Sequence, residues 1–271
     1  MMDLPHLQAL AARWGRDRVE LGVALRGPDR SVRAVWEEEI AAARRLGLSV
    51  TFHMGGSRDA AGQGNVGVLS GAGLLGPDLH VVHMTSASED DLRLLAEGGA
   101  PLVISPWTEM EVGYGVPDPG KMAVAGLKMG LSVDNTVLAG QVNMFEVMRL
   151  AADLADGFAE ERQALSDATV FDWAARAGAE AIGAPEGTGT LAEGGPADLI
   201  AVDMESLGTR PAVGAGFALT HAAEPQDVSF VMIDGVIHKR DGELTRVDLD
   251  DLLSRADAMI GALQSAAGTE G

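Results

Sequence analysis

Four strand-like segments in fixed order decide the fold of this chain: LSVTFHMGG (48–56), LHVVHMT (79–85), PLVISPWTEM (101–110) and GLSVDN (130–135). Each sets a polar residue, His53, His83, Glu109 or Asp134, behind a short apolar run rich in β-branched residues, with turn-prone residues following. That is how side chains are delivered to one rim of a parallel α/β barrel, where strand ends and the loops after them build the site. Two imidazoles and a carboxylate from successive strand ends can converge on a metal ion. None of the six histidines forms a His-x-His pair.

Outward from these segments, strand and helix alternate. Val19 to Leu25 reads as a strand. Ser31 begins a helix whose apolar positions Val32, Val35, Trp36, Ile40 and Ala43 follow the helical period until Gly47. Strands are expected at Leu48–Phe52, Leu79–Val82, Leu102–Ser105 and Leu131–Val133, and helices at Gly67–Leu75, after Ser88, around Gly120–Ala125 and from Asn143 onward. Ser88 with Asp91 three residues later has the spacing of a capping box. The resulting fold class is α/β, a partial (β/α) TIM-like barrel: right-handed βα crossovers imply a parallel sheet, and five strands are fewer than the eight that close one. His80, three residues before His83, falls on the opposite strand face and reads as structural or partly exposed.

After Gly189 the texture changes. TLAEGGPADLIAVDM and QDVSFVMIDGVIHKRDGEL contain short alternating runs separated by Asp234-Gly235 and Asp241-Gly242, a hairpin signature that predicts a small C-terminal antiparallel β segment. Val247 to Ala267 reads as a helix. The expected division is therefore residues 1–187 as the partial barrel and 188–271 as the β segment with its C-terminal helix. His221 and His238 fall late in the chain and read as structural.

Composition sets outer limits. With 271 residues, 46% of them apolar, the chain can bury roughly 70–75% of the surface that its unfolded form exposes. It has no cysteine, so neither disulfides nor thiolate ligands are available. The N-terminal segment carries no secretory pattern, and no run approaches the ~20 apolar residues of a membrane span. A formal charge of −20 without a basic cluster disfavours nucleic acid and anionic membrane as partners. The expectation is a cytoplasmic protein acting on a small-molecule substrate.

From about Val19 to its end the chain resembles the amidohydrolase superfamily, in the branch of cytosine deaminases, chlorohydrolases and S-adenosylhomocysteine-type deaminases. The likeness runs through His53 and His83, the SVD motif at Asp134, the NMFEVMRLA and WAARAGAEAIG helices and the GTLAEGGPADLIAVD segment. The resemblance implies that His53 ligates a divalent metal, zinc or iron. It implies that His83 either ligates the metal or orients the attacking water, and that Asp134 binds the metal and shuttles the water's proton. A divalent cation lowers the pKa of bound water toward ~7, and a carboxylate at that water can accept its proton.

Two departures stand beside the likeness. The resemblance implies a first barrel strand that carries a His-x-His pair, and that strand, with the next two and the N-terminal half of the small β-domain, is absent from this sequence. The branch also places a glutamate three residues after the first of these histidines, as the acid for the leaving group, and here that position is Gly56. Glu109 is the nearby carboxylate that could substitute, although a helix N-terminus or a local salt bridge would satisfy it equally well. Trp107, Met110 and Tyr114 could line a substrate pocket or belong to the core.

The leading expectation is a metal-dependent hydrolase that attacks a C–N bond of a cyclic amidine, amide or aminated heterocycle through activated water. The alternatives are a catalytically impaired member serving as a binding or assembly module, and a part of a longer enzyme. An open barrel leaves two strand edges unpaired, so self-association as a homo-oligomer, in the first instance a dimer, is also expected.

Overall fold

A computed structural model of the chain describes residues 2–15, 19–211 and 214–268. It contains two compact units, one of Met1–Gly195 with Ala212–Ala223 and one of Pro196–Pro211 with Glu224–Gly271.

The first unit is built on five parallel strands in sequence order: β1 (Gly22–Leu25), β2 (Ser49–Met54), β3 (Leu79–His83), β4 (Leu102–Ile104) and β5 (Met129–Leu131). After α1 (Leu4–Arg13), the strands are linked by α2 (Arg33–Arg45), α3 (Arg58–Ala61), α4 (Asn65–Gly71), α5 (Glu89–Gly98), α6 (Pro106–Glu111) and α7 (Pro119–Val124). Then follow α8 (Thr136–Ala139), α9 (Met144–Ala159), α10 (Asp167–Ala174), α11 (Arg176–Ala181) and α12 (Ala215–Phe217). Among the described residues β1 and β5 do not pair, so the sheet stays open.

Why these residues make these elements is plain at several points. The helix α2 packs on β1 and β2, and its Trp36, Ile40 and Ala43 are buried together with Val23, Leu25, Val50 and Phe52 of the strands. The opposite face of the same strands, Gly22, Ala24 and His53, is exposed. This is the concave side of the partial barrel. Arg44 at the end of α2 grips both carboxylate oxygens of Asp78 at 2.7 and 2.9 Å and the Leu74 carbonyl at 2.7 Å, which fixes the turn leading into β3. The capping box expected at Ser88 is present, with Asp91 N–H donating to Ser88 Oγ and Ser88 N–H to Asp91.

Several boundaries differ from the sequence reading. Val19–Leu21 lie outside β1. His53 and His83 sit inside their strands, not just beyond them. β5 ends at Leu131, so Asp134 lies three residues beyond it. Its central Gly130 faces Gly178 of α11, and a Cβ there would make an ordinary contact with the Gly178 Cα at 3.5 Å. Glu109 is carried by the short helix α6 and not by a strand end. Ser105-Pro106 starts that helix, because proline at the first helical position gives up an amide that has no partner there. The WAARAGAEAIG stretch is two helices, broken at Ala175, where a Cβ on Gly189 would lie 2.6 Å from the Arg176 nitrogen.

His221 closes the C-terminal side of this unit. Its Nε2 lies 3.0 Å from Asp167 Oδ1, its ring stacks on Phe217 at 4.7 Å, and its carbonyl accepts from Arg149.

The second unit is an antiparallel sheet in the order β6 (Leu199–Val202), β7 (Val228–Ile233), β8 (Val236–Arg240) and β9 (Glu243–Leu244). Both expected turns are there. Asp234, Gly235, Asp241 and Gly242 all have positive φ, as the tight hairpin turn that favours Asp-Gly requires. His238 lies half-buried on β8. The helix α13 (Leu249–Ala267) ends the described chain, with no buried residue. No described helix is long and apolar enough to cross a membrane.

Candidate active site

The register of β2 with β3 pairs Thr51 with His80, His53 with Val82 and Met54 with His83. Alternation therefore puts His53 and Val82 on the concave face and His83 on the other. The structure overrides this pattern at the strand end. The backbone is left-handed at His83 (φ 83) and again at Met84 (φ 54), and the His83 ring comes to 4.9 Å from that of His53, centroid to centroid. Non-glycine residues rarely accept such φ values, and they concentrate at functional sites. His80, by the same register, shares the face of Thr51 and His53, and is buried. Burial holds its imidazole below the ordinary value.

His83 is anchored from below. Its Nδ1 lies 3.1 Å from Oε1 of Glu109, and both side chains are buried. The same Oε1 accepts the Ser105 N–H at 2.8 Å, so it serves as the acceptor on this edge, with Nδ1–H of His83 as donor. In the neutral ring this tautomer puts the lone pair on Nε2. Burial pushes the Glu109 carboxyl above the ordinary carboxylate range, against the pull of its bonds to His83 and Ser105. Its second oxygen, Oε2, is buried without a hydrogen-bond partner among the described residues.

The strand-end loops are stitched together over this pair. Met84 N–H donates to the Met54 carbonyl, Ser86 N–H to that of Gly55, and Thr85 Oγ1 to that of Tyr114. Asp29, in the loop after β1, accepts the Gly55 N–H at 2.8 Å and the Asn65 side-chain amide at 2.7 Å. Tyr114 stands edge-on to His83 with ring centroids 5.1 Å apart. Its phenol oxygen accepts from Arg30 at 2.6 Å. A Cβ on Gly56 would lie 2.9 Å from the Tyr114 ring, so the space above Gly56 is filled by tyrosine.

The result is an open pocket of about 250 Å³ lined by residues that include Asp29, Arg30, His53, His83 and Tyr114. A second hollow of about 400 Å³, lined among others by Arg26, Arg30, Thr51 and His53, adjoins it on the concave face. Partial burial, the neighbouring His83 and the Arg30 charge lower the His53 pKa, while Asp134 opposes them. Asp134 is exposed, with φ 60 and its N–H on Ser132 Oγ. Trp107 and Met110 ride on α6, Trp107 exposed and Met110 half-buried, and neither lines these pockets.

The structure thus brings together His53, His83, Glu109 and Tyr114, with Asp134 within electrostatic reach. Sequence reasoning missed Arg30 and Asp29. The signal for them was slight: a polar run, RGPDRS, directly after the first strand. As donor types, two imidazoles and a carboxylate suit a zinc-class ion. Their spacing does not, because among the described residues no group of three or more His, Asp or Glu side chains is close enough to hold a metal.

Residues 15–238 match the model of the amidohydrolase family. The chain belongs to this family. It is 29% identical over 218 residues to a 5-methylthioadenosine/S-adenosylhomocysteine deaminase of Nitratidesulfovibrio vulgaris, covering 78% of this chain and 49% of that protein. A deaminase of the same description from Lawsonia intracellularis is 33% identical over 180 residues, covering 66% and 41%. This amidohydrolase chain therefore spans about half the length of the curated relatives it matches. Among solved structures, an adenosine deaminase from Xanthomonas campestris with bound zinc superposes with a TM-score of 0.90 at 25% identity, over 96% of this chain and 61% of that one. Atrazine chlorohydrolase from Arthrobacter aurescens, complexed with zinc, shares the fold at a TM-score of 0.82 and 18% identity, over 95% and 59%.

Proposed function

We propose that this chain carries the strand-end half of a hydrolytic site for the C–N bond of an aminated heterocycle, cyclic amidine or amide, working on a small molecule in the cytoplasm. The observation that carries the reading is the His83–Glu109 pair beside His53. A buried carboxylate fixes one histidine so that its free nitrogen sits next to a second imidazole that favours its neutral, lone-pair form. The two imidazoles and the exposed Asp134 are groups that can orient a water, take its proton as it adds to the carbon, and return that proton to the nitrogen as the C–N bond breaks. Glu109 works through His83, holding its tautomer and ring plane.

The similar adenosine deaminase and chlorohydrolase structures with bound zinc support a divalent metal, zinc or iron, as the group that would activate the water in a complete site. His53, His83 and Asp134 are the ligands this chain would contribute. Among the described residues they form no three-ligand centre by themselves.

The same observation favours a second reading, in which the isolated chain binds ligand but turns it over weakly or not at all. Both are tested by ammonia release from S-adenosylhomocysteine, 5-methylthioadenosine and simple aminopyrimidines, with added zinc, beside elemental analysis of the purified protein. Hydrolysis that disappears in both His53→Ala and His83→Ala supports the enzyme. Easily chelated, substoichiometric metal with no ammonia release supports the binding module. Release that survives both substitutions overturns the site.

A further inference from the structure

Among the described residues, Arg30 is the one arginine or lysine that lines both hollows beside His53, and it is held in place without a carboxylate partner. One guanidinium N–H is fixed by the Tyr114 phenol oxygen at 2.6 Å. The carboxylate next to it in sequence, Asp29, spends one oxygen on the Gly55 amide and the other on Asn65. Asp59 also lines the first pocket, yet neither Arg30 nor Arg26 has a carboxylate partner among the described residues. Other arginines of the chain are spent on acids, such as Arg44 on Asp78, Arg93 on Asp90 and Glu97, and Arg176 on Asp172 and Glu180. In a chain of net charge −20, an unpaired arginine couple beside the reacting end of the sheet is where an anion can approach despite the general repulsion.

The geometry explains how Arg30 is aimed. Gly56 has no side chain, so the Tyr114 ring occupies the space above it and carries its hydroxyl to Arg30. A guanidinium pinned by one N–H keeps its other donors in a fixed plane, the arrangement that grips a carboxylate through two parallel hydrogen bonds.

We infer that the preferred substrate bears a carboxylate on or next to its aminated ring, received by Arg30 beside His53, with Arg26 lining the same hollow. This rests on reading the site as one for C–N hydrolysis, and it narrows the substrate class. A neutral compound such as 5-methylthioadenosine lacks the group that Arg30 receives.

The test is calorimetric binding of 2-aminopyrimidine-5-carboxylate against 2-aminopyrimidine-5-carboxamide, a pair of nearly the same shape that differs in charge. The full chain is compared with Arg30→Gln, Arg26→Gln and Gly56→Glu, each checked for folding by circular dichroism. The expected result is a preference of about tenfold for the carboxylate, weakening as salt is raised. Arg30→Gln abolishes the preference and Arg26→Gln reduces it. Gly56→Glu, which displaces Tyr114 and unseats Arg30, also abolishes it. Equal binding of the two compounds, a preference that survives Arg30→Gln, or no binding of either overturns the inference. Failure here is separable from failure of the hydrolase reading. Carboxylate preference without ammonia release from any compound leaves the anion receptor standing and removes the hydrolase. Ammonia release with no carboxylate preference does the reverse.

Discussion

His83 and Glu109 lie 26 residues apart in sequence, yet Nδ1 of the one is 3.1 Å from Oε1 of the other, in a part of the site closed to solvent. The pair converts a strand-end histidine into a directed group, since the carboxylate oxygen fixes both the ring plane and the position of the ring proton.

Replacing Glu109 should separate two effects. Glu109→Leu strands the Ser105 amide and the His83 Nδ1–H in the interior, at a cost of about 1–3 kcal/mol for each, and urea denaturation should show a lower midpoint. Glu109→Gln keeps an acceptor oxygen there and should cost less. The sign of the pH effect follows from the raised carboxyl pKa. The native state holds this proton more tightly than the unfolded one, so its contribution is present at low pH and is lost as pH rises from the ordinary carboxylate range through the raised value. The Gln variant should lack that decline. A parallel decline in both proteins would remove Glu109 as its source.

The His53 imidazole reports on its neighbours. Because the Arg30 charge lowers its pKa and Asp134 raises it, Arg30→Gln should move the His53 titration to higher pH and Asp134→Asn to lower pH. Imidazole proton shifts followed by NMR read both directly. A His53 midpoint indifferent to both substitutions would place these charges farther away than described.

Gly55 follows β2 directly in the left-handed region (φ 58), and a Cβ there would lie 2.7 Å from the Met84 sulfur and 3.3 Å from its Cα. Gly55→Ala therefore adds strain of about 1–2 kcal/mol for the φ alone and pushes on the residue after His83. The expected outcome is a lower melting temperature together with weakened ligand binding, whereas Gly47→Ala, with similar φ and open space around it, should lower the melting temperature alone.

Among the described residues the outer edges of β1 and β5 have no neighbouring strand, and such edges are covered in most stable proteins. We expect the purified chain to associate as a dimer through the open sheet. Multi-angle light scattering should give the mass of two chains at micromolar concentration. A monodisperse monomer would refute self-association.

Local signals in the chain were enough to set the order of the elements. Apolar runs of strand length, the Ser88–Asp91 spacing and the Asp-Gly turns are local signals, set by backbone sterics and by hydrogen bonds within a few residues, so β2, β3, the capped α5 and the β7–β8 hairpin were all legible. His53 and His83 were legible as polar residues near the ends of β2 and β3 for the same reason, whereas Asp134 falls three residues past β5. The placement of Glu109 on a helix was not, because a single turn begun by Ser105-Pro106 is too short to show a period. Nor could alternation reveal that His83 crosses to the face of His53. That depends on left-handed backbone at His83 and Met84, which the tertiary contacts of Gly55, Met54 and Glu109 sustain against an intrinsic cost. The Arg30–Tyr114 contact is beyond any local signal, since it joins residues 84 apart. It arises only when the loop after β1 and the end of α6 meet over Gly56. What the side chains are was written in the chain; which of them face one another was decided by packing, because long-range contacts fix φ values and charge neighbours that no short stretch of sequence encodes.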